Sequence, residues 1–172
     1  MDSNTIVIGG IIVLFCMTLY ILNRRSEKKK EAQFLQPLNR LAEKDNSKIL
    51  QYDIWNNSII GTDNLINHVY FIKQLFDDAT SQSIKLSDIL KCRINEVGQT
   101  VTLASRTKGI KGNVIKTFDK VELVFINRDK NKPDVIAEFY NKQTGNPSLS
   151  GEFQMAEKWC KIVNDRIASF PK

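Results

Sequence analysis

The residue types that do chemistry are few in this chain, and their spacing does not suit them to it. A hydrolytic site needs a nucleophile with a base in reach, and the chain holds a single imidazole, His68. It lies between Asn67 and Val69 in an extended stretch, where a structural or solvent-facing role is expected. The cysteines, Cys16, Cys92 and Cys160, stand far apart with no C-x-x-C or Cys/His spacing. Cys160 falls on the apolar stripe of a helix beside Trp159, where burial raises a thiol's pKa and makes it inert. Glu122, Glu138 and Asp119 alternate with apolar residues, the pattern of carboxylates turned to water, and make no acid/base pair. The expectation is a non-enzyme with no catalytic residue, no cofactor and no metal.

Two basic clusters point instead to anions. In the loop Arg106–Asn113, Gly109 and Gly112 let the backbone curl and present N–H groups, while Arg106, Lys108 and Lys111 add positive charge. Such a segment is a candidate anion or phosphate nest, although it lacks the G-x-x-x-x-G-K-[ST] pattern of a nucleotide loop. The alternative is a solvated loop, and charge reversal there should leave folding intact under both readings. The other cluster is Arg24, Arg25, Lys28, Lys29 and Lys30, expected to meet anionic lipid heads at a membrane surface or simply to set topology.

That second cluster follows an uncharged run of 18 residues, Thr5–Leu22. As a helix it would be ~27 Å long, just enough for a hydrocarbon core of ~30 Å. A cleaved signal peptide would have a positive n-region and a small-x-small site. Here the flank is Met1-Asp2-Ser3-Asn4, and the residues after the run hold no such site. A transmembrane anchor is therefore expected, with the N-terminus outside and the domain cytoplasmic by the positive-inside rule, in the inner (plasma) membrane. Gly9-Gly10 offers only a weak helix-contact motif.

The charge of +6 is divided evenly. Residues 1–44 hold seven Lys/Arg against four Asp/Glu, and the rest hold 18 against 15. The folded part is only mildly basic and its aromatics fall at core-like positions, so no nucleic-acid partner is expected. An odd, unclustered set of cysteines fits a reducing compartment. Residues 1–23 read as the anchor, 24–46 as a basic juxtamembrane stalk, and 47–170 as one domain with its helix at 150–168.

Within the stalk, Phe34, Leu38 and Leu41 at i, i+4, i+7 predict a short amphipathic helix. Pro37 would be a first-turn residue of Leu38–Lys44, and the apolar face would lie on the membrane or pack on the domain. From Ser47 the period is two. Strands are expected at Ile49–Trp55, Ser58–Thr62, Asn67–Phe76, Ile84–Leu86, Ile89–Val97, Thr100–Ser105, Val114–Asn127 and Val135–Tyr140. Asn56-Asn57 is a turn, since Asn tolerates positive φ, and Asp77–Gln82 is expected as a polar loop. At the end, Phe153, Ala156, Trp159, Cys160, Val163 and Ile167 form one helical stripe, with Ser148 or Ser150 as cap.

Short strands in meander order, the phrase Ile84-Lys85-Leu86-Ser87-Asp88-Ile89 and Trp159 on the terminal helix resemble the bacterial pleckstrin-homology-like family. The resemblance implies an α+β fold. After the transmembrane helix would come an antiparallel, partly open barrel plugged by its C-terminal helix; another antiparallel sheet with a covering helix is the alternative. The expected function is a membrane-tethered adaptor or scaffold that engages a protein partner through a sheet edge or the groove beside the helix. The alternative is a reader of anionic lipid or phosphate headgroups.

Overall fold

A computed structural model describes residues 17–18, 31–63, 67–75, 78–102, 114–144 and 149–170. The alternating segments fold as antiparallel strands: β1 (Ile49–Trp55), β2 (Ser58–Asp63), β3 (His68–Leu75), β4 (Asp78–Lys85), β5 (Ile89–Thr102), β6 (Val114–Asn127) and β7 (Val135–Asn141). Helix α1 covers described residues 31–44, and α2 is Glu152–Ala168. Strands β1-β2-β3-β4 make one sheet in that order and β5-β6-β7 a second.

This corrects the expected barrel. The chain leaves the first sheet through a 3-10 turn, Leu86–Asp88, so β4 and β5 belong to different ladders. Among the described residues the strands do not close on one another. Residues 31–63, 67–75, 78–102, 114–144 and 149–170 thus make two sheets and two helices.

The membrane expectation is corrected as well. Of Thr5–Leu22 only Met17 and Thr18 are described, both helical; the rest of that run lies outside the described residues. Among the described residues no helix is long and apolar enough to cross a membrane. Helix α1 carries Glu31, Arg40, Glu43 and Lys44. Helix α2 is 17 residues long and places Glu157, Lys158, Lys161 and Asp165 among its apolar positions. The single-pass, inner-membrane placement is therefore withdrawn.

Part of the expected stalk, residues 31–44, is α1, and its apolar stripe packs on the first sheet. Leu38 and Ala42 are fully buried against Ile59, Tyr70 and Ile72, with Phe34, Leu35 and Leu41 around them. Pro37 lies within the described helix, not in a first turn at Leu38, so the Gln33 carbonyl receives no backbone N–H from four residues on. The helix ends in a Schellman turn. Asn46 takes φ 52°, with Ser47 N–H donating to Ala42 O and Asn46 N–H to Glu43 O, both at 3.0 Å. The helix comes close at Gly61, since a Cβ there would lie 2.8 Å from Leu38 Cδ2.

The larger core lies between the two sheets and α2. Trp55, Ile60, Val69 and Phe71 from the first sheet meet Val121, Leu123, Phe125 and Phe139 from the second. The expected stripe of α2 is the packed one. Ala156, Trp159 and Val163 are fully buried, while Phe153, Cys160 and Ile167 pack at its margins. The cap differs from expectation. Gly151 at φ 104° is the N-cap, without a side-chain cap bond. Instead the buried Glu152 carboxylate accepts Ser150 N–H at 2.5 Å and Asn56 Nδ2 at 2.8 Å, placing negative charge where the helix dipole favours it.

Replacing Leu38 by Ala should cost about 3 kcal/mol in urea unfolding, because the cavity lies between α1 and the sheet. A loss well under about 1 kcal/mol would mean that α1 is not part of the folded core.

Candidate functional site

A sheet of this kind can act through its edges. The two sheets have four: β1, β4, β5 and β7. Edge strands are commonly blunted by charge, proline, bulges or covering side chains, because their free N–H and C=O groups template further pairing.

Three of the edges carry such devices. Strand β1 has a register shift at Ile49/Gln51 and is tied down by side chains. Its Asp53 carboxylate accepts Trp159 Nε1 at 2.8 Å and Lys158 Nζ at 2.6 Å. Trp55 stacks on Phe139 with centroids 4.3 Å apart and donates its Nε1–H to Phe139 O at 2.9 Å. Strand β5 shifts at Ile89/Lys91 and Val97/Gly98, and α2 lies along it. The Asn164 amide takes both backbone groups of Cys92, accepting its N–H and donating to its C=O, each at 2.9 Å. Strand β7 follows Pro133, and its pairing with β6 shifts at Val121/Glu122.

Strand β4 differs. Its pairing with β3 runs unbroken over eight residue pairs, from His68↔Lys85 to Leu75↔Asp78. From Ala79 to Ile84 it has no charge and no proline. Leu86 N–H donates to Asn67 O at 2.9 Å. In an antiparallel ladder the paired residues alternate, so Thr80, Gln82 and Ile84 turn their backbone groups to β3. Ala79, Ser81, Ser83 and Lys85 turn theirs outward. Among the described residues β3 is the only strand paired with β4. The side chains alternate too: Ile84 enters the core, and Ser83 on the other face donates to Asp45 at 2.9 Å. Gln82 shares the face of Ile84, and its Oε1 is a buried side-chain polar atom without a hydrogen-bond partner.

No family model, curated protein or solved structure matches this chain. The site must therefore be judged on its own geometry.

The residues singled out from the sequence fare unevenly. The cluster Arg24, Arg25, Lys28, Lys29 and Lys30 lies outside the described residues, and so does the loop with Arg106, Lys108, Gly109, Lys111 and Gly112. His68 opens β3 and is half-buried. Its N–H donates to Asp63 Oδ1 at 3.1 Å, and its ring stacks on Tyr70. Glu122 and Glu138 are not turned to water. They face each other across β6 and β7, and lysines separate the two charges. Glu122 is buried, with Lys120 at 2.6 Å and Asn95 at 2.9 Å. Burial pushes the Glu138 carboxyl up, but hydrogen bonds from Lys73 and Asn141 and the charges of Lys73 and Lys120 hold it below its ordinary value. Asp119 is half-buried and pairs with Lys142 at 3.5 Å. Among the described residues no group of three His, Cys, Asp or Glu could hold a metal.

One buried polar centre was not foreseen. Asp63 is fully buried, accepting Ser47 Oγ at 2.6 Å and Tyr70 Oη at 3.3 Å besides His68 N–H. Its own carbonyl accepts Arg166 Nη1 at 2.6 Å. Burial pushes the Tyr70 phenol above its usual range, and the Asp63 charge adds to this. The centre fastens β2, β3 and α2 together.

Asp63→Ala strands three donors at once. It should cost about 3 kcal/mol or more in chemical denaturation, since a buried unsatisfied group loses its full desolvation energy. A loss under about 1 kcal/mol would mean that water reaches those donors.

Proposed function

We propose that this chain is a non-enzymatic interaction domain that takes up an extended segment of a partner protein along the free edge of β4. The carrying observation is that β4 is regular, uncharged from Ala79 to Ile84 and, among the described residues, paired on one side only. Strand addition draws its affinity from main-chain hydrogen bonds, and Ala79, Ser81, Ser83 and Lys85 present both a donor and an acceptor to a fifth strand. The Gln82 side-chain Oε1 supports the reading, because among the described residues it is a buried acceptor without a partner that a side chain of a docked segment would meet. The pleckstrin-homology-like resemblance is proposed alongside, on a meander of four and then three strands followed by a helix with a buried tryptophan. Fold alone does not decide function, and the edge carries the reading.

Ser81→Pro tests it. Proline removes the outward N–H of Ser81 and leaves the β3 ladder, which uses Thr80 and Gln82, with its donors. Extended peptides selected on the wild-type domain from a displayed library should bind the variant at least tenfold more weakly, with the circular dichroism spectrum unchanged. Peptides that bind both proteins equally would contradict the proposal, and so would a library yielding none that protect β4 amides.

A further inference from the structure

Two thiols that lie 68 positions apart in sequence come together where α2 crosses β5. The Cys160 S–H donates to Cys92 O at 3.5 Å, and the two thiols are near enough to perturb one another's pKa. Asn164, one turn on from Cys160, holds the pair in register. Its amide grips the Cys92 backbone at both ends, and its Nδ2–H also reaches Cys160 Sγ at 3.5 Å. The thiols differ in exposure, Cys92 being buried and Cys160 only partly so.

We propose that Cys160 and Cys92 form a dithiol site that a hydroperoxide oxidises to a disulfide, fastening α2 to β5. The outer thiol reacts first. The Cys160 sulfur attacks one peroxide oxygen, the O–O bond breaks, and the other oxygen leaves as water or alcohol once protonated. Cys160 is then a sulfenic acid. The Cys92 sulfur attacks Cys160 Sγ, the S–O bond breaks, and the hydroxyl departs as water with the Cys92 thiol proton. Two thiol hydrogens and two electrons pass to the peroxide for each disulfide formed.

The electrostatics suit these roles. Donation from the Cys92 thiol lowers the Cys160 pKa to about 7 against the opposing effect of burial, and the Asn164 amide adds to the lowering. The lowering favours the thiolate form of Cys160, and the thiolate is the nucleophile. Cys92 is pushed the other way, by its hydrogen bond to Cys160 and then by burial. The raised value favours the protonated thiol as the resolving partner. This reverses the sequence expectation of an inert Cys160, because the stripe of α2 that carries it packs at the margin of the core, beside a second thiol.

The full chain, reduced and freed of reductant, is treated with graded hydrogen peroxide, alkylated and mapped by non-reducing mass spectrometry. The expected product is one Cys92–Cys160 linked peptide pair in a monomer, reversed by dithiothreitol. Cys92→Ser should stop at a Cys160 sulfenic acid trapped by dimedone, and Cys160→Ser should leave Cys92 a free thiol. Recovery of both residues as alkylated thiols at doses that oxidise Cys16 would overturn the site. A link from either one to Cys16, or Cys160 oxidised to sulfinic acid with Cys92 untouched, would do the same. The wild-type map decides the matter even where a serine variant fails to fold.

Discussion

The structure depends on one tryptophan between the two sheets. Trp159 is fully buried, and large aromatic burial of this kind dominates core energetics. Its indole N–H cannot be left unpaired in such a place, and Asp53 of β1 meets it at 2.8 Å. That bond carries α2, which lies on the second sheet, across to the first strand of the first sheet. Trp55 makes the reciprocal link from β1 to the β7 backbone. The two sheets are thus held by side chains where their ladders do not join.

This closure determines which surfaces are left. Because α2 is drawn onto β5, Asn164 falls against Cys92 and occupies the backbone groups of that edge. Because β1 is held by α2 and β7, its edge is encumbered as well. Helix α1 covers the outer face of the first sheet through Leu38 and Ala42. Strand β4 is left with regular pairing on one side and outward backbone groups on the other. The thiol contact follows from the same seating of α2, since Cys160 adjoins Trp159 and shares its side of the helix.

Much of this was legible in local pattern. Strong alternation located β1, β2, β6 and β7, and spacing alone located the buried face of α2 and the apolar face of α1. What was missed depends on contacts distant in sequence. Asp77–Gln82 looks like a loop because Thr80, Ser81, Gln82 and Ser83 show no apolar alternation, yet β3 supplies a complete ladder and tertiary context overrides propensity. Strand β5 reads as two pieces because Gly98 interrupts it. Glycine is needed there, since a Cβ would lie 2.1 Å from Thr117 O. Glu122 and Glu138 look solvated until Lys73, 65 positions from Glu138, is brought beside them. Cys92 and Cys160 look isolated for the same reason. The run Thr5–Leu22, apart from Met17 and Thr18, lies outside the described residues, and no described helix is long and apolar enough to cross a membrane.

The central claim is that β4, paired among the described residues with β3 alone, is open on its other side. Residue-resolved amide hydrogen exchange of the isolated protein tests it most directly. Alternation is predicted along the strand, with Thr80, Gln82 and Ile84 protected by β3 and Ala79, Ser81, Ser83 and Lys85 exchanging quickly. Uniform protection would mean that something already occupies the edge, and uniformly fast exchange would mean that β4 is not held in the sheet; either would contradict the claim.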